Sequence, residues 1–224
     1  MRDAFHEELD HTSDQLVEMT RLAGSGMARA TTALLDADLA VAESVIAADE
    51  QVDRIQRELD ELALDLLARQ QPVATDLRTI VTAMRMSADL ERMGDLARHV
   101  AKVARRRYPD SAVPPALRAT VLQMGQVAER IVAKAGSVIA SKDVAQAVQL
   151  EQDDDEMDRL HRQIFAQLLG GNWAHGMEAA VDITLIGRYY ERFADHAVSV
   201  ARRVVYLVTG EWHESYDPTA AHTP

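Results

Sequence analysis

Four pairs of acidic residues carry the clearest chemical potential in this sequence: Asp49 with Asp53, Glu91 with Asp95, Asp154 with Asp158, and Glu191 with Asp195. On an α-helix, residues four apart stand one turn above one another on a single face, with Cβ atoms roughly 5–6 Å apart. Both carboxylates of a pair therefore address the same neighbour. The pairs are also duplicated. Glu91-Arg92-Met93-Gly94-Asp95 returns as Glu191-Arg192-Phe193-Ala194-Asp195, and Asp49-Glu50-Gln51-Val52-Asp53-Arg54 matches Asp154-Asp155-Glu156-Met157-Asp158-Arg159. Carboxylates gathered without compensation repel one another and raise their own pKa values, a conflict that a divalent or trivalent cation removes. All-oxygen ligation suits magnesium, calcium or manganese; iron is admissible and zinc less natural. The alternative is ion pairing between helices through the adjacent Arg54, Arg92, Arg159 and Arg192.

The pairs must come from facing helices to act together. Asp49 and Asp53 precede the turn at Gln71-Pro72 by about as many residues as Glu91 and Asp95 follow it. Antiparallel helices rising about 1.5 Å per residue place them at equal heights, so four carboxylates meet. In the second half the heights match less well, and agree only if the turn at Gly170-Gly171-Asn172 takes up several unwound residues. The first cluster is thus the better defined. Spacings of three and four lead from Leu77, Ile80, Met84 and Ala88 to Glu91 and Asp95, and from Met177, Val181, Thr184 and Arg188 to Glu191 and Asp195. This count puts the acids on the packing stripe itself. His99, one turn beyond Asp95, reads as a satisfied or exposed histidine, His196 as a bystander about 100° off the acidic face, and Arg188 as a salt-bridge partner of Glu191.

Apolar periodicity at three and four persists along nearly the whole chain and predicts an all-α fold of six long helices, at about 3–35, 38–69, 75–107, 116–141, 143–169 and 175–209. Pro72 ends the second helix. Thr75 or Asp76 is expected to cap the third, and Gly210 to cap the sixth at its C-terminus. Gly24-Ser25-Gly26 either kinks the first helix or lets a neighbour approach. The duplication divides the chain into a three-helix bundle over 1–110, a second over 111–210, and an irregular tail over 211–224.

Composition excludes several classes. Cysteine is absent, which removes disulfides and thiolate metal sites and fits a reducing compartment. A net charge of −12 argues against general nucleic-acid binding. Arg105-Arg106-Arg107 is the one dense basic run, and it falls where a helix C-terminus favours cations. The polar, acidic N-terminus does not resemble a signal peptide, and no apolar run approaches the roughly 18 residues of a membrane span. The expected location is cytoplasmic, with any membrane association through a partner. No phosphate-cradling glycine loop or nucleophile elbow is present, so a non-enzymatic role is expected. The competing class is a metal-dependent phosphohydrolase, because paired cations activate water and clamp phosphoryl oxygens. A ferritin-like redox centre lacks its ExxH pairs, since Gly94 and Ala194 hold the histidine position.

An all-helical chain with DxxxD on the second helix and ERxxD on the third of each repeat resembles the PhoU family, above all in Ala88 to Asp95 and Arg188 to Ala197. Ala194 stands where that family usually carries glycine. The resemblance implies an accessory protein of phosphate homeostasis that represses phosphate uptake and the phosphate-starvation response when phosphate is plentiful. It implies action at the ATPase subunit of the phosphate ABC transporter and at a sensor histidine kinase, and a homodimer. It further implies metal ions, among them iron or zinc clusters, on Asp49, Asp53, Glu91, Asp95, Asp154, Asp158, Glu191 and Asp195.

Overall fold

Six helices follow from where the sequence places its caps and breakers. The structure, a computed structural model, describes residues 2–171 and 173–211. The segment read as an irregular tail lies outside the described residues from 212 onward. The helices are α1 (Arg2–Asp36), α2 (Leu39–Gln70), α3 (Ala74–Arg107), α4 (Arg118–Ser141), α5 (Val144–Leu169) and α6 (Gly176–Thr209), with one 3₁₀ turn at Pro115–Leu117 before α4. Asp38 caps α2 by accepting the Val41 N–H at 2.9 Å. Asp143 caps α5 by accepting from Ala145 and Gln146. Gly210, in the left-handed region, ends α6 by donating its N–H to the Tyr206 carbonyl.

The expected cap of α3 is corrected. The helix begins at Ala74 after Val73, with no side-chain cap; the Asp76 N–H is taken by the Val73 carbonyl at 3.2 Å. Asp76 instead lies in the first turn, where its charge favours the helix N-terminus. Around Gly24 the first helix runs unbroken. A Cβ at Gly24 would lie 2.9 Å from Val132 of α4, so the glycine serves close approach rather than a kink.

The halves are two antiparallel three-helix bundles laid side by side. α1, α3, α4 and α6 pack on one another across the middle, while α2 covers α1 and α3 on one flank and α5 covers α4 and α6 on the other. One apolar core runs through both halves, from Met19, Met27 and Leu90 to Met124, Ile186 and Phe193. At its centre the Thr31 and Tyr190 hydroxyls meet. Residues 81–95 and 181–195 show the same succession of buried and exposed positions, so the repeat extends from sequence to packing.

The expected packing stripe is displaced. Leu77, Ala88, Met177, Val181 and Arg188 are exposed, and the buried face of α3 is instead Ile80, Ala83, Ser87, Leu90, Gly94 and Ala97. α3 packs against α1, α2 and α6, and so wide a buried arc leaves a count of threes and fours begun at Leu77 running along its edge. Glu91, Asp95, Glu191 and Asp195 accordingly sit at the border of the packed face, half-buried, within reach of both the core and water.

Candidate metal centres and their surroundings

In the first hairpin the α2 and α3 acids do converge. Asp49 is buried, while Asp53, Glu91 and Asp95 are half-buried. Burial pushes the Asp49 carboxyl up to about 6, offset by Arg98 and reinforced by the charges of Asp53 and Asp95. Glu91 is likewise raised, first by burial and then by Asp95, with smaller contributions from Asp53 and Asp49. All four carboxylates thus share one field. Asp49 fits against α3 because residue 94 is glycine: a Cβ there would stand 3.0 Å from Asp49 Oδ1. On the α1 side a cavity of about 130 Å³, with Ser25, Arg29, Gln51 and Asp49 in its wall, opens beside the carboxylate.

A cation is already lodged in this cluster. Arg98 Nη1 lies 2.8 Å from Asp49 Oδ2, and its Nη2 donates to Asp95 Oδ1. Arg92, further out, reaches Asp95 at 3.1 Å and Glu91 at 3.7 Å. Neither Asp49 oxygen receives an aligned hydrogen bond, although both are buried. Such an orphaned, desolvated carboxylate is the kind of group a bound ion would satisfy, yet Arg98 stands where that ion would go.

The second hairpin gathers its acids despite the shorter path along its helices. Its connection spans 170–175 against 71–73 in the first. The extra unwound residues restore the register that the sequence alone left in question. Burial, then the charges of Asp195, Asp158 and Glu191, push Asp154 up to about 7. Burial, then Asp195, push Glu191 to about 7 against the pull of Arg188. Asp195 is raised by burial and by Asp158, against Arg188 and His196. The cations here act singly and along one helix. Arg188 donates to Glu191 Oε2 at 2.5 Å, as its spacing predicts, and Arg162 lies 3.5 Å from Asp158. Position 198, the counterpart of Arg98, is a buried valine. Ala194 carries the methyl that Gly94 lacks, and Asp154 is half-buried where Asp49 is buried. The glycine-to-alanine change therefore coincides with a shallower carboxylate.

As placed, no three His, Asp or Glu side chains among the described residues are spaced to hold one metal ion between them. The donor sets nevertheless differ in fit. Arg98 bridges the two helices of the first cluster, whereas the arginines paired with acids of the second, Arg162 and Arg188, each stay on one helix.

Other candidates resolve into structural roles. His99 packs on the Tyr189 ring of α6, centroids 5.3 Å apart, and burial lowers its pKa. His196 Nδ1 lies 3.1 Å from Asp89 Oδ1, whose other oxygen accepts from Arg203 Nε at 2.7 Å. The basic run at the end of α3 is more than a helix terminus: Arg106 and Arg107 both pair with the buried Asp182 of α6, and Arg107 also reaches Glu178 at 2.6 Å. Sequence reasoning missed Arg98, Asp89 and Asp182. It also missed His161, one turn past Asp158, whose buried Nε2 has no hydrogen-bond partner and whose ring lies over Gly187. No helix among the described residues is long and apolar enough to cross a membrane.

Comparison with known proteins agrees with this duplicated architecture. The family model described as PhoU domain matches twice, over residues 16–104 and 121–204. The chain is 51% identical over 210 residues to the phosphate-specific transport system accessory protein PhoU homolog 2 of Mycobacterium tuberculosis, covering 94% of this chain and 99% of that protein. It is 50% identical to PhoU homolog 1 of Mycobacterium leprae, covering 96% of each. The crystal structure of PhoU from Pseudomonas aeruginosa superposes with a TM-score of 0.83 at 31% identity, covering 92% of this chain and all of that one. With both repeats matched and half the residues shared over almost the full length, the chain belongs to the PhoU family.

Proposed function

We propose that this protein is a non-enzymatic accessory protein of phosphate transport, a cytoplasmic adaptor that represses phosphate uptake and the starvation response when phosphate is plentiful. The observation that carries this reading is the near-complete coverage of relatives named as phosphate-specific transport system accessory proteins, at half identity. The architecture supports it. The sequence holds no phosphate-cradling loop or nucleophile elbow, so a signal must pass by contact with other proteins. The proposed contacts are the ATPase subunit of the phosphate transporter and a sensor histidine kinase, met by a homodimer.

The carboxylate clusters are proposed to take hard divalent or trivalent ions. Asp154, Asp158, Glu191 and Asp195 would hold one in the second half, and Asp49, Asp53, Glu91 and Asp95 in the first once Arg98 moves aside. A bound ion would neutralise the crowded acids and tie α5 to α6 or α2 to α3.

Deletion of the gene, with phosphate uptake and a starvation-responsive reporter followed at high and low phosphate, tests the regulatory role. The expected result is a reporter active at high phosphate in the deletion strain, restored by the wild-type chain. Co-purification should recover the transporter ATPase and the kinase. Normal repression in the deletion strain, with neither partner recovered, would overturn the proposal.

A further inference from the structure

We infer that two matching apolar triads, Leu64, Leu77 and Val81 in one half and Leu169, Met177 and Val181 in the other, form a bivalent docking face for a two-fold symmetric protein partner, each subunit of which seats one triad. This rests on the proposed role as an adaptor at the transporter ATPase, and it names the face and the stoichiometry of that contact.

The triads are built from corresponding positions. Leu64 follows Asp53 by the interval at which Leu169 follows Asp158, and Leu77 and Val81 precede Glu91 as Met177 and Val181 precede Glu191. All of them are exposed, Leu64 to 61%, Leu169 to 81% and Met177 to 80%. Neighbouring exposed positions have not kept their character: Glu58 answers to Gln163, Glu61 to Ala166 and Arg85 to Leu185. Large apolar side chains left in water at the same places twice mark a contact surface, where scattered single ones would not.

Helix register gathers each triad. The contact of Asp49 with Gly94 sets α2 against α3 so that Leu64 stands level with the turn between Leu77 and Val81. The contact of His161 with Gly187 sets α5 against α6 so that Leu169 stands level with the turn between Met177 and Val181. Leu64 and Leu169 also lie within about 20° of Asp53 and Asp158 around their helices, on the side whose charge acts on Glu91 or Glu191. α3 and α6 run antiparallel, with Arg78 beside Gly210 at one end and Arg107 beside Glu178 at the other. Because α1 and α4 cover the inner side of this pair, its outer sides form one face. The triads occupy opposite ends of that face, about 45 Å apart at 1.5 Å per residue.

Two like surfaces so related fit a partner that presents one seat twice about a two-fold axis, as a homodimer does. Charge decides against a second copy of this chain. Between the triads the carboxylates of the two clusters outnumber the exposed Arg85, Arg92, Arg188 and Arg192, and the whole chain carries −12. Face-to-face pairing of two copies would bring like charges together. The same excess disfavours an anionic membrane surface.

The test is binding of the purified ATPase subunit to the full-length chain, with stoichiometry from light scattering after size exclusion and affinity from calorimetry. One chain is expected to take two ATPase subunits. Leu64→Glu/Leu77→Glu and Leu169→Glu/Met177→Glu should each reduce the ratio to one to one. Each should also weaken binding by about a hundredfold or more, since one of two linked sites is lost, and by the same factor whichever triad is changed. Combining the four substitutions should abolish binding. The altered side chains are exposed, so circular dichroism and melting should match wild type; Leu64→Ser and Leu169→Ser carry the same test should a double variant fail to fold. A one-to-one complex that none of these changes weakens would overturn the inference while leaving the adaptor reading intact. So would dependence on one triad alone, or a wild-type dimer that the substitutions convert to monomer, which would make this face a contact between copies. Failure of every form, wild type included, to bind the ATPase would overturn both.

Discussion

The hydroxyls of Thr31 on α1 and Tyr190 on α6 meet at 2.6 Å in the buried seam where the two repeats join. Thr31 spends its single proton on the Met27 carbonyl, 2.8 Å away. Tyr190 must therefore be the donor across the seam. Replacing Tyr190 with phenylalanine keeps the ring, which is wholly buried, and removes only that donor. The expected cost is about 1 kcal/mol, the usual net value of a buried neutral hydrogen bond. Urea denaturation of the variant should show it as a lower midpoint with an unchanged slope. Because one core spans both halves, unfolding is expected in a single transition, and separate transitions for the repeats would contradict the shared seam.

Asp182 makes the corresponding electrostatic connection at the end of α3. Its side chain is 3% exposed and pairs with Arg106 and Arg107, which are 58% and 20% exposed. Asp182→Asn takes the buried anion from both guanidinium groups, leaving Arg107 with Glu178 at 2.6 Å. A fully buried pair would lose about 3–5 kcal/mol when one partner is removed. Water reaches Arg106 and screens the loss, so a decrease of about 1–3 kcal/mol is expected. Arg106→Ala should cost less than Arg107→Ala, since the more exposed partner contributes less. Denaturation midpoints of the three variants check the order.

What the sequence made legible was set by short-range rules. Pro72 and Gly210 mark helix ends through contacts within a few residues, and the pairing of Asp49 with Asp53 or Glu91 with Asp95 is a property of a single turn. In the first half even the hairpin register could be read, because antiparallel helices of known rise count back from a short connection; in the second, the longer connection hid it. What remained hidden depends on how helices turn toward one another. Arg98, three residues after Asp95, has the spacing of an ordinary same-helix ion pair; that it also reaches Asp49 follows from the rotation of α3 against α2. Asp89 with His196 and Arg203, and Asp182 with Arg106 and Arg107, join positions far apart in the chain with no periodic relation between them. The stripe counted from Leu77 failed for a related reason, since contact with three neighbours widened the buried face beyond what one helix's pattern reports.

The acids of the second cluster make stability depend on pH in the opposite sense to an ordinary salt-bridged carboxylate. Asp154 and Glu191 are each raised to about 7 in the folded protein, against 3.8 and 4.5 for the ordinary groups. The native state therefore binds more protons than the unfolded chain across this interval. Their contribution to stability is fully present below about pH 4 and is lost as pH rises through about 7. Metal-free protein is expected to melt at progressively lower temperature from pH 5 to pH 7.5, apart from the usual acid sensitivity of the other ion pairs. Asp154→Asn should flatten that decline. A wild-type melting temperature that rises steadily over the same interval would contradict the crowding of these acids.

Metal loading should reverse the same decline, because a cation takes the place of the protons. At pH 7.5, Mn²⁺ is expected to raise the melting temperature of wild type in a concentration-dependent way, as any ligand bound only by the folded state must. Ligation needs deprotonated carboxylates, so the rise should shrink at pH 5, where protons compete for Asp154 and Glu191. The double substitution Asp154→Asn/Glu191→Gln preserves side-chain volume while removing two charges. It should be more stable than wild type in the absence of metal, since repulsion is relieved, and should respond far less to Mn²⁺. Elemental analysis of the two proteins purified side by side gives an independent check: the variant is expected to retain less metal per chain. Equal content in both would place any bound ion elsewhere and leave the acids of α5 and α6 to be explained by ion pairing alone.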